Sequence, residues 1–288
     1  AAGALTTGDN NIAIGYRALD AATTADDNIA IGSNALGANT SGTNNTAVGS
    51  NALDVNTTGD DNTAIGDNAL GANTTAANNT AVGSGALATN STGTGNTAVG
   101  QDAGTAITTG ANNTIVGKLA GDAITTGGAN VAIGEDALSA LTTNSNNTAI
   151  GQGSLEANTG ASNTAVGQAA MGVNSSGGYN VAVGANALDA NTTASNNVAI
   201  GFNALTANTS GAHNTGIGQA ALGATNTGSY NVAVGSNALD ANTTASNNVA
   251  IGYDSLTANT TGAGNTAVGT YALDANTTAS SNVAVGEY

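Results

Sequence analysis

The sequence predicts an all-β protein: a parallel β-solenoid built from coils of about 17 residues. The pentad Asn-[Thr/Val/Ile]-Ala-[Val/Ile]-Gly recurs along the chain, and its closing glycine appears 17 times, at steps of 17 residues apart from one step of 16. Residues within the pentad alternate as in a short strand. With 42 glycines, 2% aromatic residues and no tryptophan, the chain has too few large apolar side chains for a conventional core between layers. A fixed period of this kind indicates stacked repeats.

Each coil is numbered from the asparagine that opens the pentad, so that one coil, residues 45–61, runs from position 1 to position 17. Positions 2 to 4 form the predicted strand, and position 5 is the glycine. Position 9 is leucine in most coils, and positions 11 to 15 read ANTTG or ANTTA, which has turn character. The 16-residue step lacks one threonine of this polar segment (EANTGASN beside DANTTASN), so we expect the deletion to lie in a turn.

The asparagine of position 1 is present in every coil, and stacking the coils would align these side chains in a ladder. Asparagine amides in such a ladder can hydrogen-bond from coil to coil or to the backbone of a turn. The predicted structural ladder consists of Asn11, Asn28, Asn45, Asn62, Asn79, Asn96, Asn113, Asn130, Asn147, Asn163, Asn180, Asn197, Asn214, Asn231, Asn248, Asn265 and Asn282.

The interior is predicted from the alternation of the strand. Positions 2 and 4 carry β-branched residues on one face, and position 3 carries alanine on the other. We expect the valine and isoleucine ranks to join the leucine of position 9 in a thin, continuous core. In two neighbouring coils, glycine replaces this leucine, and isoleucine appears three residues later, at Ile107 and Ile124. In the next coil an apolar residue, Leu141, again stands at that later position. Such paired changes are expected where each coil packs chiefly on its neighbours.

Charge and composition exclude several classes of partner. The chain has 18 acidic residues against two basic ones, Arg17 and Lys118. Binding to nucleic acid needs clustered cations, and anionic membranes attract basic segments, so neither partner is expected. No apolar run approaches the ~18 residues of a membrane span, so this segment is not expected to insert into a membrane. No export leader precedes Ala1. We expect any export signal or anchor to lie outside this chain.

Residues for catalysis or metal binding are scarce. The single histidine, His213, directly precedes a position-1 asparagine, where we expect a solvated turn residue. No Ser-His-Asp set or zinc site can be assembled around it. The acidic pairs at 26–27 and 60–61 lack the glycine-aspartate ladder of calcium-binding rolls. The sequence therefore predicts a protein that is not an enzyme and has no cofactor or metal. Isolated aromatic contact points remain at Tyr16, Tyr179, Phe202, Tyr230 and Tyr253.

Segments such as NNTAVGSNAL and NNVAIGFNAL resemble the head repeats of YadA-like trimeric autotransporter adhesins. The motif of that family is close to N-S-V-A-I-G-x-x-S, and residues 247–252 match its first six positions except that Asn248 stands where the family has serine. The resemblance covers the whole chain and implies a left-handed β-roll of three chains side by side. The repeats here are longer than those of the family, and its neck, stalk and membrane anchor have no counterpart. Phage tail-fibre-like proteins carry similar repeats.

A second resemblance is to grass-type ice-binding solenoids, which use N-x-V-x-G repeats. The threonines of the NTT segments, such as Thr57 and Thr58, would form ladders of the kind that ice binders use. Adjacent residues of an extended chain face opposite ways, so each pair offers one outward threonine. Moreover, alanine stands where the grass motif has its core valine.

These observations predict one continuous solenoid domain over residues 1–288. The preferred function is a non-enzymatic structural and adhesive fibre, a homotrimer at the cell surface, outside the cell or on a virion, that displays many copies of one weak contact. The alternatives are a self-assembling filament that stacks head to tail and an ice-binding solenoid. The two termini lie in phase with one another, which is expected of a filament subunit or of a fragment cut from a longer rod.

Overall fold

A computed structural model describes residues 2–287, and it confirms the predicted parallel β-solenoid. Within these residues every strand is three residues long and turns connect the strands; no helix is present. No helix long and apolar enough to cross a bilayer is therefore found in this part of the chain. The chain forms two compact units, Ala1–Asn146 and Asn147–Tyr288, which we call unit 1 and unit 2.

Unit 1 contains eight parallel strands, each paired with the next along the chain. Partners occupy the same position of successive coils, as Ala47 and Ala64 do. The strands are β1 (Ile12–Ile14), β2 (Ile29–Ile31), β3 (Thr46–Val48), β4 (Thr63–Ile65), β5 (Thr80–Val82), β6 (Thr97–Val99), β7 (Thr114–Val116) and β8 (Val131–Ile133).

Unit 2 contains nine strands with the same pairing. The strands are β9 (Thr148–Ile150), β10 (Thr164–Val166), β11 (Val181–Val183), β12 (Val198–Ile200), β13 (Thr215–Ile217), β14 (Val232–Val234), β15 (Val249–Ile251), β16 (Thr266–Val268) and β17 (Val283–Val285). Thr148 pairs with Thr164 across the 16-residue step, so the register is kept. The deletion lies outside the strands, as predicted.

Each coil turns by means of residues with a positive φ, and these fall at fixed positions. In the coil that begins at Asn45, they are Asn51, Leu53 and Asp61, with φ between 51° and 57°, together with the position-5 glycine, Gly49, at 142°. Asparagine and aspartate tolerate the left-handed region better than most residues, which explains their frequency at positions 7 and 17. Leucine does not, so the burial of Leu53 must offset the cost of its conformation.

The predicted core is wrong in one respect: the valine and isoleucine residues of the strands do not join the leucine. The position-3 alanines, such as Ala47 and Ala64, are fully buried beside the buried leucines of position 9. The β-branched residues of positions 2 and 4 point outward, and Ile65 is 41% exposed. The interior of each coil is therefore built from alanine and leucine, and the exterior of the strand carries valine, isoleucine and threonine.

Alanine, and not valine or isoleucine, faces inward because the interior of the coil is narrow. The coils with glycine at position 9 show how narrow it is. A Cβ added at Gly104 would lie 3.0 Å from Ile115 Cδ1 and 3.1 Å from Ile107 Cδ1. Ile115 is the one isoleucine at position 3, and it fills the space that leucine occupies elsewhere. Where leucine is present, only alanine or glycine fits opposite it. The predicted joint displacement of the apolar group is confirmed, because Ile107, Ile124 and Leu141 are all buried.

Candidate functional site

The position-1 asparagines form a ladder that joins each coil to the next. In unit 1 the backbone N–H of Asn62 donates to Asn45 Oδ1 at 3.0 Å, and Asn62 Nδ2 donates to the same oxygen at 3.1 Å. Asn62 Nδ2 also donates to the carbonyl oxygen of Ala76, position 15 of its own coil, at 2.8 Å. Each asparagine thus closes its own coil and satisfies a backbone N–H of the next one.

The same arrangement extends through both units. Asn197 and Asn214 of unit 2 repeat it, with the Asn214 N–H donating to Asn197 Oδ1 at 2.9 Å. From Asn28 to Asn265 the side chains are fully buried, whereas Asn11 and Asn282, in the first and last coils, are half-buried. A buried backbone N–H without an acceptor is costly, so each Oδ1 that accepts from the next coil stabilises the stack.

A second asparagine ladder lies at position 12, in a segment for which the sequence predicts only a polar turn. Asn56 Nδ2 donates to Asn39 Oδ1 at 3.1 Å and to the carbonyl oxygen of Gly59 at 3.0 Å. Asn45 Nδ2 donates to that same carbonyl at 2.8 Å, so the two ladders meet at position 15. The fully buried members are Asn39, Asn56, Asn73, Asn90, Asn158, Asn174, Asn191, Asn208, Asn242 and Asn259.

This second ladder is interrupted where another residue takes position 12. Asn90 is followed by Ile107, and Asn208 is followed by Thr225. The Oδ1 atoms of Asn90 and Asn208 are buried and have no hydrogen-bond donor. Each interruption therefore leaves one unsatisfied acceptor, a local cost in stability that the intact ladder avoids.

The threonines of position 13 form a third ladder. Thr57 Oγ1 donates to the carbonyl oxygen of Thr74 at 3.0 Å, and in unit 2 Thr192 Oγ1 donates to Thr209 O at the same distance. The position-14 threonine, as at Thr58, is exposed. Each NTT segment thus has one structural and one outward threonine, as expected from the alternation.

Aspartates of position 10 lie over glycines of the preceding coil. A Cβ built on Gly37 would lie 2.9 Å from Asp54 Oδ1, and one on Gly172 would lie 2.8 Å from Asp189 Oδ1. Burial raises the pKa of Asp54 and Asp189, although the backbone N–H of Gly172 partly opposes the shift at Asp189.

An open recess of about 290 Å³ lies beside Gly37, where the glycine has no side chain to fill it. This volume is small for a ligand pocket.

The outward face of the strands is the most regular surface of each unit. We define the strand face as the side chains of positions 2 and 4, all of them threonine, valine or isoleucine. In both units every acidic or basic residue of the chain falls outside positions 1 to 5. The chain has a formal charge of −16, yet this face has none. Partial exposure continues along it, with Ile65 at 41% in unit 1 and Ile251 at 40% in unit 2.

Aromatic residues border the strand face in unit 2. Tyr179 and Tyr230 stand at position 17, just before a strand, and Phe202 and Tyr253 stand at position 6, just after one; all four are exposed. His213 also stands at position 17, and its ring stacks on Tyr230 with centroids 4.9 Å apart and planes inclined by 4°.

Tyr253 is held in place from the side. Its ring meets Tyr271 edge-on at a centroid distance of 5.5 Å, and its hydrogen bond with Asp254 raises the pKa of its hydroxyl. Tyr230 and Tyr253, two of the predicted contact points, are therefore held by a neighbouring ring beside the strand face.

Residues 2–287 contain no cluster of side chains suited to hold a metal ion. No three histidine, aspartate or glutamate side chains in that range come together as metal ligands. His213 is exposed, as expected of a turn residue, and its ring contacts Tyr230. The repetitive β-solenoid is a fold typical of structural proteins. No protein-family model matches the chain, and no curated protein sequence is similar to it.

Proposed function

We propose that this chain is a non-enzymatic structural segment of a fibre whose copies associate side by side through their strand faces, as a homotrimer outside the cell, at its surface or on a virion. The association makes a stiff support that displays the polar turns many times over, and multivalent adhesion is the function that such a display serves. The observation that carries the proposal is the strand face: regular, partly exposed, built from β-branched side chains and uncharged in a chain of formal charge −16.

A second copy of this chain is the partner that fits this face best. Parallel strands lie about 4.8 Å apart, and only a partner with the same rise keeps its side chains in step over eight or nine coils. With the bordering positions 17 and 6, the face is about 20 Å wide and, in unit 2, about 43 Å long, which gives about 860 Å². That area is typical of one partner's share in a stable interface.

Charge distribution favours the same association. All 18 acidic residues lie at positions 6, 7, 10, 16 or 17, so copies that meet at positions 2 and 4 keep their carboxylates at the borders and beyond. Contacts through positions 6 to 10, or through positions 16 and 17, would bring carboxylates of two copies together, and like charges at an interface disfavour the wrong partner or orientation.

Measurement of mass in solution tests the proposal. We expect three times the 27.0 kDa of one chain by sedimentation equilibrium. The variant Ile200→Lys places a charge on the strand face, where the side chain is 38% exposed in the single chain, and should give a folded monomer. Thr193→Lys, at an exposed position 14, is the matched control and should stay trimeric. A monomeric wild-type chain at micromolar concentration would refute the proposal.

Ice binding is the second candidate, and one observation favours it. Strands β3 to β7 present an outward threonine at position 2 and valine or isoleucine at position 4 in five successive coils, so hydroxyl and methyl groups repeat at about 4.8 Å. The face that would contact ice is thus the strand face and not the NTT segment. Thermal hysteresis that is lost in Thr80→Lys but kept in Thr58→Lys would establish this function; its absence in the wild type would remove it.

A further inference from the structure

The strand face has a weakness as an association surface, because it is nearly the same in every coil. A copy displaced by one coil, about 4.8 Å, meets the same ranks of valine, isoleucine and threonine. Register in repetitive sheets is weakly specified unless some residues break the repetition. The residues that break it here are the aromatic ones.

These residues form one block. Five consecutive strands, β11 to β15, each have one ring at one border, in the order before, after, before, before and after the strand. The rings belong to Tyr179, Phe202, His213, Tyr230 and Tyr253. In unit 2 the other bordering positions hold no aromatic residue and carry only one charged group, Glu287.

We propose that this aromatic block fixes the register in which copies of the chain associate side by side, a proposal that rests on the proposed function. In a closed trimer the border before the strands of one copy meets the border after the strands of its neighbour. Two pairs are then separated by one strand in the same direction, Tyr179 with Phe202 and Tyr230 with Tyr253. Phe202 and His213 are also one strand apart, in the opposite direction. One strand is about 4.8 Å, within the 4.5–7 Å at which ring centroids of aromatic pairs interact.

No other displacement does the same. Two pairs, each of one ring before a strand and one ring after a strand, share a separation of one strand in the same direction; every other separation occurs once or not at all. A copy that slips by one coil within a trimer brings both pairs level at one interface and moves them two strands apart, about 9.6 Å and out of contact, at the other. At that second interface Phe202 comes level with His213 and Tyr253 has no ring partner, so one ring of this border makes contact in place of two. Two of the four rings already contact another ring before association, Tyr230 against His213 and Tyr253 against Tyr271, which lowers the entropy cost of using them.

Cysteine crosslinking can read the register directly, because the chain has no cysteine of its own. One population carries Thr270→Cys, at position 6 after β16. It is mixed, unfolded and refolded in turn with chains that carry Asn247→Cys, Gly264→Cys or Ser281→Cys, at position 17 before β15, β16 and β17. With a short bismaleimide, we expect the yield with the Gly264→Cys partner, before the same strand β16, to exceed that with either of the others by about tenfold, the ratio for a difference of about 1.4 kcal/mol.

The test variant replaces four rings with residues found at the same positions of other coils: Tyr179→Asn, Phe202→Ser, Tyr230→Asn and Tyr253→Ser. We expect it to remain trimeric but to crosslink with all three partners to within about twofold, a difference near 0.4 kcal/mol. Val173→Ala, which removes an exposed apolar side chain at position 11, is the control and should keep the wild-type preference.

Each other outcome overturns the inference in a recognisable way. A variant that keeps the tenfold preference shows that the rings do not set the register. A variant that becomes monomeric shows that they supply affinity in general. If the wild-type chain itself is monomeric, the proposed association has failed, and the mass measurement reveals this before any crosslink is made.

Discussion

Replacing Asn62 with alanine tests whether the position-1 ladder holds the solenoid together. The change removes the acceptor of the Asn79 N–H, which lies 3.0 Å from Asn62 Oδ1, and the donor that closes the coil at Ala76 O. Ala76 O keeps a second donor, Asn73 Nδ2 at 3.0 Å, so only the Asn79 N–H is left buried without a partner. One such group costs about 1–3 kcal/mol, and the lost hydrogen bonds add about 1, so we expect a total of about 2–4 kcal/mol.

The assay is unfolding in guanidinium chloride, followed by far-ultraviolet circular dichroism. Asn73→Ala, in the second ladder, removes side-chain hydrogen bonds without taking away the acceptor of a backbone N–H, so its effect should be smaller, about 1–2 kcal/mol. Thr58→Ala, at an exposed position, should change the midpoint by less than about 0.5 kcal/mol. If Asn62→Ala is no more destabilising than Thr58→Ala, the ladder is not what stabilises the coils.

Three further predictions follow from the interior. Thr225→Asn should stabilise the chain by about 1 kcal/mol, because it gives the unsatisfied Asn208 Oδ1 a donor, and denaturant unfolding measures the gain. Gly66→Ala should destabilise it by about 3 kcal/mol or more in the same assay, because a Cβ would lie 2.4 Å from the Gly83 carbonyl oxygen at a φ of 138°. The free energy of unfolding should rise as pH falls from neutral, and it should rise less in Asp189→Asn. Burial raises the pKa of the Asp189 carboxyl above its usual 3.8, so the folded chain binds the proton more tightly than the unfolded chain. The gain in stability therefore builds as pH falls from the raised pKa to 3.8.

Each of these has a control. Thr227→Asn, at position 14, adds an amide outside the second ladder and should leave stability unchanged. Gly153→Asn, at a φ of 62° and with no atom closer than 3.3 Å to an added Cβ, should be nearly neutral, because asparagine holds position 7 in other coils. A Gly66→Ala chain as stable as Gly153→Asn contradicts the close approach of the coils. If Asp189→Asn has the same pH profile as the wild type, burial at Asp189 has no effect on stability.

The coil length, the strands and the position-1 asparagines could be predicted because a strict period reveals every column of the stack. The side of the strand that faces inward could not be inferred from hydrophobicity alone, since valine and isoleucine are more apolar than alanine. A signal was present: position 2 accepts threonine, valine and isoleucine alike, whereas position 3 is alanine with the exceptions of Ile115 and Gly216. A position restricted to one small residue indicates limited space, and a position that accepts a hydroxyl indicates access to water.

The second ladder escaped prediction for a related reason. Asparagine followed by two threonines is typical of a turn, and nothing local shows that Asn56 is buried. The sequence did contain a signal of this burial. Isoleucine takes position 12, at Ile107 and Ile124, in the same coils in which glycine replaces the leucine of position 9. An exposed position would not change together with a core position, so position 12 points into the interior. The aromatic block was visible in the sequence, but its meaning depends on knowing that the strand face points outward.

The direction of the asparagine hydrogen bonds has a consequence for how the chain is made. In every step of the position-1 ladder within a unit, the oxygen belongs to the earlier coil and the backbone N–H to the later one, as for Asn45 and Asn62. A coil that has left the ribosome therefore already presents the acceptor that its successor needs. Folding can advance vectorially, one coil for each 17 residues synthesised, with each finished coil acting as the template for the next.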